Sequence, residues 1–238
     1  MARAGLASLA LLAPALARAQ DAGISVDVGG GAGESGYVKL ILLFASVSLA
    51  PALLAVVTSF ARIVVVLFFL RAGLGAQEIP PNQVIIGLAI LLAIVTMLPT
   101  LGRIYDDAAG PLLRDEMTLG EAATTAAAPL REFMARQVRA RDLELMASLA
   151  DAPADAAQTP MSVLASAFAI SELRAAFIIG FVIYLPFVII DLVVASTLAA
   201  VGMLSLPAPL LALPFKILMF VLVDGWSLLT EALLTTFR

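Results

Sequence analysis

Apolar residues are concentrated in four long runs, at positions 38–70, 84–98, 175–201 and 209–234, and a more polar block at 100–174 separates the second run from the third. The runs have helical rather than alternating spacing. This pattern predicts an all-α fold of the membrane-protein type. It consists of two long helical hairpins, 38–99 and 175–238, with a helical region, 100–174, between them. Pro51 lies within the first run and Pro186 within the third.

The first 37 residues differ from the rest of the chain. Arg3 precedes an apolar stretch from Leu6 to Leu16, and Ala17-Arg18-Ala19 resembles a leader cleavage site. Residues 1–19 are therefore predicted to be a signal peptide, with an interfacial amphipathic segment as the alternative. Residues 20–37 are rich in glycine but are not followed by Gly-Lys-Ser/Thr, so they predict a flexible linker rather than a phosphate loop.

The polar block carries the signals of a folded helical region. Thr118 and Glu121 have the spacing of a capping box that opens a short helix. Pro129 predicts the first turn of another helix that runs to about Ala150. Thr159-Pro160 predicts the start of a helix that continues towards the third run. Two interpretations of Phe133 stay open: packing within the block, or a contact surface for like subunits.

Loop lengths suggest a topology. A cleaved leader places the mature N-terminus outside the membrane, so "RAGLGAQEIPPNQ" lies on the cytoplasmic side and the 100–174 block on the periplasmic side. The tip of the second hairpin, "GMLSLPAP", then faces inwards. The arginines of the block do not contradict this, because the positive-inside rule applies to loops shorter than about 60 residues.

Composition narrows the functional classes. Of the 238 residues, 62% are hydrophobic and 13% are charged, which is far from the roughly 45–50% and 25% of a soluble chain. The chain contains no cysteine and no histidine. We therefore expect no catalytic residues, no metal site and no cofactor. The formal charge of −4 provides no basic surface for nucleic acid.

Charges inside the apolar runs are the candidate functional residues. Asp191 and Lys216 lie about equally far from the tip of the second hairpin, so we expect them to pair within the hairpin or across a subunit boundary. Arg62 and Asp224 are the other charges for which buried pairing is expected. The alternative makes Asp191 and Asp224 proton carriers of a stand-alone secondary transporter or proton channel. The two hairpins, however, lack the matching broken repeats that are frequent in transporters.

Several long segments resemble one family. They are "TSFARIVVVLFFLRAGLGAQEIPPNQVIIGLAI" (58–90), "PLREFM" (129–134), "SELRAAFIIGF" (171–181), "PFVIIDLVVAS" (186–196) and "LPFKILMFVLVDGW" (213–226). In order and spacing they resemble the FliP family of the flagellar type III export apparatus. The more distant homologues in virulence type III secretion share the PPN loop and the PFK…VDGW segment.

This resemblance implies a function. Members of the family form the pore of an export gate through which unfolded flagellar subunits cross the inner membrane. It implies a ring of about five copies that also contains FliQ-like and FliR-like proteins. The expected location is the bacterial inner membrane and the flagellar basal body, with the large loop in the periplasm. No enzymatic activity is implied.

The resemblance also assigns roles to residues. Glu172 and Arg174 match the SEL(K/R) motif and, with Phe133, are expected at subunit interfaces. Asp191, Lys216 and Asp224 match charged positions of the hairpin. The family's tip is usually rich in methionine and forms a gasket around the pore, a role that passes here to Met203 and Leu204. Ser205 departs from that pattern.

Overall fold

The computed structural model describes residues 55–75, 79–203 and 205–237, together with Ile41, Phe44 and Ser48. All helices named below belong to the second of two compact units, Ala50–Arg238, the first being Met1–Leu49. The predicted signal peptide, the predicted linker, Pro51 and Leu204 lie outside the described residues.

The described residues form helices and no strands, so the predicted all-α class is confirmed. A π-helical turn, Tyr105–Ala109, continues the second helix into the third. Two helices, Asn82–Leu113 and Met161–Ala200, are long and apolar enough to cross a bilayer. The helices are α1 Phe60–Leu74, α2 Asn82–Ile104, α3 Gly110–Leu113, α4 Leu119–Gln137, α5 Ala140–Leu149, α6 Met161–Ala200, α7 Ala208–Leu222 and α8 Gly225–Thr235.

Helix α6 is the central element, because α1, α4, α5 and α7 all pack against it. The buried residues of α6 and of the helices around it form two hydrophobic clusters. The first cluster joins α1, α2, α6 and α8, and the second joins α2, α4, α5 and α6. The fully or nearly buried members of the first cluster include Ile63, Val66, Leu67, Leu70, Ala89, Ala176, Phe187 and Leu233; those of the second include Met97, Phe133, Met134, Leu164, Ala167 and Phe168.

Two glycines allow α1 and α6 to approach closely. Gly73 on α1 lies against Phe187 on α6, and Gly180 on α6 lies against Phe69 on α1. A Cβ atom at either glycine would lie 2.5 Å from a carbon of the facing ring. Each helix thus places a phenylalanine over a glycine of the other. This reciprocal packing fixes how far apart the two helices lie.

The polar block contains α4 and α5 besides the short α3 and the start of α6, and the division between α4 and α5 differs from the prediction. The capping box is confirmed: the Thr118 hydroxyl accepts from the Glu121 N–H, and the Glu121 carboxylate accepts from the Thr118 N–H. The Thr118 N–H and the Thr118 hydroxyl both donate to the Glu121 carboxylate, and these two hydrogen bonds hold the pKa of Glu121 below its usual range. The prediction that Pro129 begins a helix is wrong. Pro129 lies inside α4, and the break comes at Val138 and Arg139, whose extended backbones separate α4 from α5.

The second hairpin is formed by α6 and α7, but its second arm is bent. The fourth apolar run contains two helices, α7 and α8, whose axes differ by 63°. The break occurs at Asp224, which has a left-handed backbone with φ of 50°. Among non-glycine residues, Asp and Asn adopt this conformation most readily. The sequence VDG therefore accounts for a bend that hydropathy alone does not indicate.

Candidate functional site: buried ion pairs on the central helix

The most deeply buried ion pair joins α1 to α6. Arg62 Nε donates to Glu172 Oε2 at 2.9 Å, and Arg62 Nη2 lies 2.5 Å from Glu172 Oε1. Arg62 is 5% exposed and Glu172 is fully buried. This bidentate geometry suits a guanidinium and cannot be reproduced by a lysine. The pair therefore fixes the register of α1 against α6.

The guanidinium of Arg62 also reaches two other parts of the chain. Its Nη2 donates to Gln137 Oε1 at 3.3 Å, at the C-terminal end of α4. Its Nη1 donates to the Thr236 carbonyl at 3.5 Å, just after α8. We call Arg62, Gln137, Glu172 and Thr236 the Arg62 cluster. It connects four helices through one side chain.

A second polar cluster lies beside it on α6. Ser171 Oγ donates to Asp142 Oδ2 at 2.8 Å, and Arg174 Nη2 donates to Asp142 Oδ1 at 3.3 Å. Ser171 Oγ also accepts from the backbone N–H of Arg139 at 3.1 Å. Arg139 is the residue where the chain turns from α4 into α5, so Ser171 satisfies a backbone donor that the turn leaves free. These contacts attach the start of α5 to α6.

The SELR segment, 171–174, is therefore a clamp within one chain. Ser171 and Arg174 bind α5 while Glu172 binds α1. Glu172 is fully buried within the single chain, where its carboxylate binds Arg62, and its place at a subunit interface stays a prediction. The side chain of Arg174 is 48% exposed, and its place at an interface stays a prediction.

Phe133 also lies inside the chain. It is 3% exposed, and its ring meets Phe168 edge-on with centroids 5.7 Å apart. Of the two interpretations left open for this residue, packing within the block fits the structure. The ring belongs to the second hydrophobic cluster, and a direct contact of Phe133 with another subunit stays a prediction.

The structure brings Asp191 and Lys216 together across the second hairpin. Lys216 Nζ lies 2.7 Å from Asp191 Oδ2, with Lys216 2% exposed. A Cβ on Gly75 would lie 3.3 Å from Lys216 Nζ, so the ammonium also faces the C-terminal end of α1. A cation is favourable there because the last carbonyls of a helix carry partial negative charge. Asp191 Oδ1 is buried without a hydrogen-bond partner among the described residues.

Asp224 does not join these pairs. It is exposed, and it forms no ion pair within the part of the chain that the structure describes. Within the single chain the residue occupies the left-handed position between α7 and α8, and its buried pairing stays a prediction. Arg62 forms its ion pair with Glu172 and not with Asp191.

The tip of the second hairpin is an exposed turn. Helix α6 ends at Ala200 and α7 begins at Ala208. Met203 lies between them and is 51% exposed. Leu204 lies outside the described residues, so the gasket role of both stays a prediction.

Comparison with known proteins identifies the family. A model of the FliP family matches residues 43–233. The flagellar biosynthetic protein FliP of Bacillus subtilis is 48% identical over 205 residues, which cover 85% of this chain and 93% of that protein. The chain belongs to the FliP family. FliP of Caulobacter vibrioides is 46% identical over 94% of this chain and 85% of its own length, and FliP of Borreliella burgdorferi is 40% identical over 90% and 86%.

The FliP-family chain contains polar residues that sequence reasoning missed. Ser171 stands in the SELR segment, one turn before Arg174, and this spacing is the signal that could have identified it. Asp142 lies in the first turn of α5, where acidic residues are common, but the break before α5 was not predicted. No signal in the sequence indicates Gln137 or Thr236. Among the described residues, no group of three or more Asp or Glu has the geometry of a metal site.

Proposed function

We propose that this FliP-family chain is a pore-forming subunit of the flagellar type III protein export gate, which passes unfolded flagellar subunits across the inner membrane. The family match over residues 43–233 is the observation that supports this most directly. Its curated relatives are named flagellar biosynthetic proteins. In this role the protein conducts substrates and is not an enzyme, and it needs no cofactor.

Exposed apolar surface supports a role in an assembly. Monomeric soluble proteins seldom expose apolar patches larger than a few hundred Å². Here many large apolar side chains of α2, α6 and α7 are exposed. They include Leu91, Leu98, Phe181, Val182, Leu192, Leu218 and Val221. Lipid, further copies of the chain and FliQ-like and FliR-like proteins would cover this surface. The proposed location is the inner membrane and the basal body, with the 100–174 block in the periplasm.

The native mass of the full chain in detergent tests this proposal. We expect a discrete ring of about five copies that incorporates the FliQ-like and FliR-like proteins when they are co-expressed. Arg174→Ala should weaken the ring, whereas Arg114→Ala, which also removes an exposed arginine of the block, should leave it intact. A monomer or dimer that binds neither the FliQ-like nor the FliR-like protein would contradict the proposal.

Two variants of Asp224 separate the export gate from a stand-alone proton transporter. If Asp224 serves the bend, Asp224→Asn should keep function, because Asn also adopts the left-handed conformation, and Asp224→Glu should impair it. If Asp224 carries protons, the order is reversed, because only Glu keeps a carboxylate. Secretion of flagellin by cells that lack their own copy measures export, and proton flux into vesicles that contain the purified protein measures transport. A proton flux that Glu keeps and Asn abolishes would favour transport.

A further inference from the structure

Phe237, which follows the last helix, packs against both hydrophobic clusters. Helix α8 ends at Thr235, and Phe237 follows in a turn closed by a hydrogen bond from its N–H to the Leu234 carbonyl at 3.3 Å. Phe237 packs against the first cluster, of α1, α2, α6 and α8, and against the second, of α2, α4, α5 and α6. Among the described residues, no other side chain is shared between the two.

The Phe237 ring lies against the cation of the Arg62 cluster. The guanidinium carbon of Arg62 is 4.1 Å from the centroid of the ring. A contact of this kind strengthens when water is excluded, and Arg62 is 5% exposed. The same ring stacks on Phe133, with centroids 6.4 Å apart and planes inclined by 20°. Phe237 thus connects a buried charge to the aromatic core of the polar block.

The backbone of the same turn adds a third contact. The last carbonyls of a helix have no partner within the helix. Arg62 donates to the Thr236 carbonyl at this end of α8, where a cation is also favoured by the helix dipole. The Thr236–Phe237 turn is therefore bound to Arg62 through both its main chain and its side chain.

We infer that the Thr236–Phe237 turn is a latch and that Phe237 is its positioning residue. When the latch is docked, it excludes water from the Arg62–Glu172 pair and joins the two hydrophobic clusters into one core. Helix α8 is then fixed relative to α4 and α5. When the latch is open, the exposed Arg62–Glu172 pair no longer fixes that arrangement, and the chain loses the single conformation that a neighbouring subunit would recognise.

Accessibility of a buried reporter tests the latch in the full chain purified in detergent. The sequence contains no cysteine, so Leu233→Cys provides a single thiol at a fully buried position one turn before Phe237. We expect Phe237→Ala to raise the maleimide labelling rate of this thiol by about tenfold or more, since it removes both the stacking and the cation–π contact. Thr235→Ala, an exposed position two residues away, is the matched control and should leave the rate unchanged.

Conservative variants separate the effect of the aromatic face of Phe237 from the effect of its side-chain volume. Phe237→Tyr keeps the aromatic face and should label as slowly as the parent. Phe237→Leu keeps an apolar side chain but loses the face, and should label at an intermediate rate. The latch is overturned if Phe237→Ala labels no faster than Thr235→Ala, or if Tyr and Leu label equally fast. If the Ala variant does not fold, the comparison of Tyr with Leu still decides the question.

Ring formation by the same variants extends the test and rests on the proposed function. We expect the fraction assembled with FliQ-like and FliR-like proteins to fall in the order parent and Tyr, then Leu, then Ala. If labelling follows this order and no variant, nor the parent, forms a ring, the latch stands and the export-gate proposal fails. If the parent forms a ring and every Phe237 variant labels and assembles like it, the latch alone fails.

Discussion

Arg62 shows how one buried charge organises several helices. A charge inside the protein is tolerated when its hydrogen-bonding groups are satisfied, and the Arg62 guanidinium is bound by Glu172, Gln137 and the Thr236 carbonyl. Buried ion pairs contribute more to a specific arrangement than to net stability in several proteins. We interpret the Arg62–Glu172 pair in this way, as the element that selects one register of α1 on α6.

Substitution of the pair distinguishes register from stability. Glu172→Leu leaves Arg62 buried without its carboxylate and should destabilise the fold by about 3–5 kcal/mol. The double variant Arg62→Met, Glu172→Leu removes both charges and should recover most of that loss. Thermal unfolding in detergent, followed by helical circular dichroism, measures both. Arg114→Met is the control, because its ion pair with Glu116 is exposed and should not affect the unfolding temperature.

The two outcomes that would contradict this interpretation are specific. Equal loss in the single and double variants would mean that packing around the side chains, rather than the charge, is what matters. No loss in Glu172→Leu would mean that water reaches Arg62 in solution.

At the residue scale, the sequence indicates which charged residues are important. It is less informative about which residues they contact. Charges in apolar runs are conspicuous, so Arg62, Asp191 and Lys216 could be selected by type alone. The separation of Asp191 from Lys216 is set by a short hairpin, and their proximity could therefore be expected. Arg62 and Glu172 are 110 residues apart and belong to different hairpins. Only the packing of α1 on α6 brings them together.

Close packing between the helices depends on residues without polar or charged side chains. Helix α1 is held on α6 by the phenylalanine–glycine contacts at Gly73 and Gly180. Phe69 also meets Phe177 edge-on, with centroids 5.4 Å apart. Because the interior is close-packed, an added methyl group must displace a ring or a helix. The two glycines therefore determine the position of the Arg62 cluster between the same helices.

Substitution of Gly180 tests this contact. Gly180→Ala should destabilise the fold by about 1–3 kcal/mol, despite the higher helix propensity of alanine, because its Cβ would lie 2.5 Å from the Phe69 ring. Gly87→Ala on α2 is the control: nothing lies within 4 Å of its Cβ position, so the fold should be unchanged or more stable by up to about 1 kcal/mol. The addition of Phe69→Leu to Gly180→Ala should restore part of the loss. Equal unfolding temperatures for the two alanine variants would contradict the contact.

Helix types are predictable at this scale, while helix ends and faces are less so. The apolar runs identify α2, α6 and α7, and the capping box identifies the start of α4. The break at Val138 and Arg139 has neither proline nor glycine, and its backbone is stabilised from α6 by Ser171, which no local signal indicates. Helix α6 is apolar on nearly all sides. Its sequence therefore does not show which face packs against α1 and which is exposed.

The dimensions of α6 constrain the whole molecule. A helix of 40 residues is about 60 Å long, roughly twice the hydrocarbon thickness of a bilayer. Its first part packs against α4 and α5 and carries Ser171, Glu172 and Arg174. Its second part exposes large apolar side chains, among them Phe181, Val182 and Leu185. One bilayer cannot contain both parts.

Accessibility along α6 follows from this division, and the absence of natural cysteines makes it measurable. Ser166 and Val182 are both exposed in the single chain, Val182 by 61%. In native membranes we expect Ser166→Cys to react with a membrane-impermeant maleimide and Val182→Cys to remain protected. Lipid or neighbouring subunits would cover the apolar part, whereas in the proposed topology the part beside α4 and α5 would lie in water. Denaturation should make both thiols equally reactive, which controls for the reagent. Fast labelling of Val182→Cys in the native membrane would mean that its apolar surface stays open to water, contrary to the burial expected in the proposed assembly.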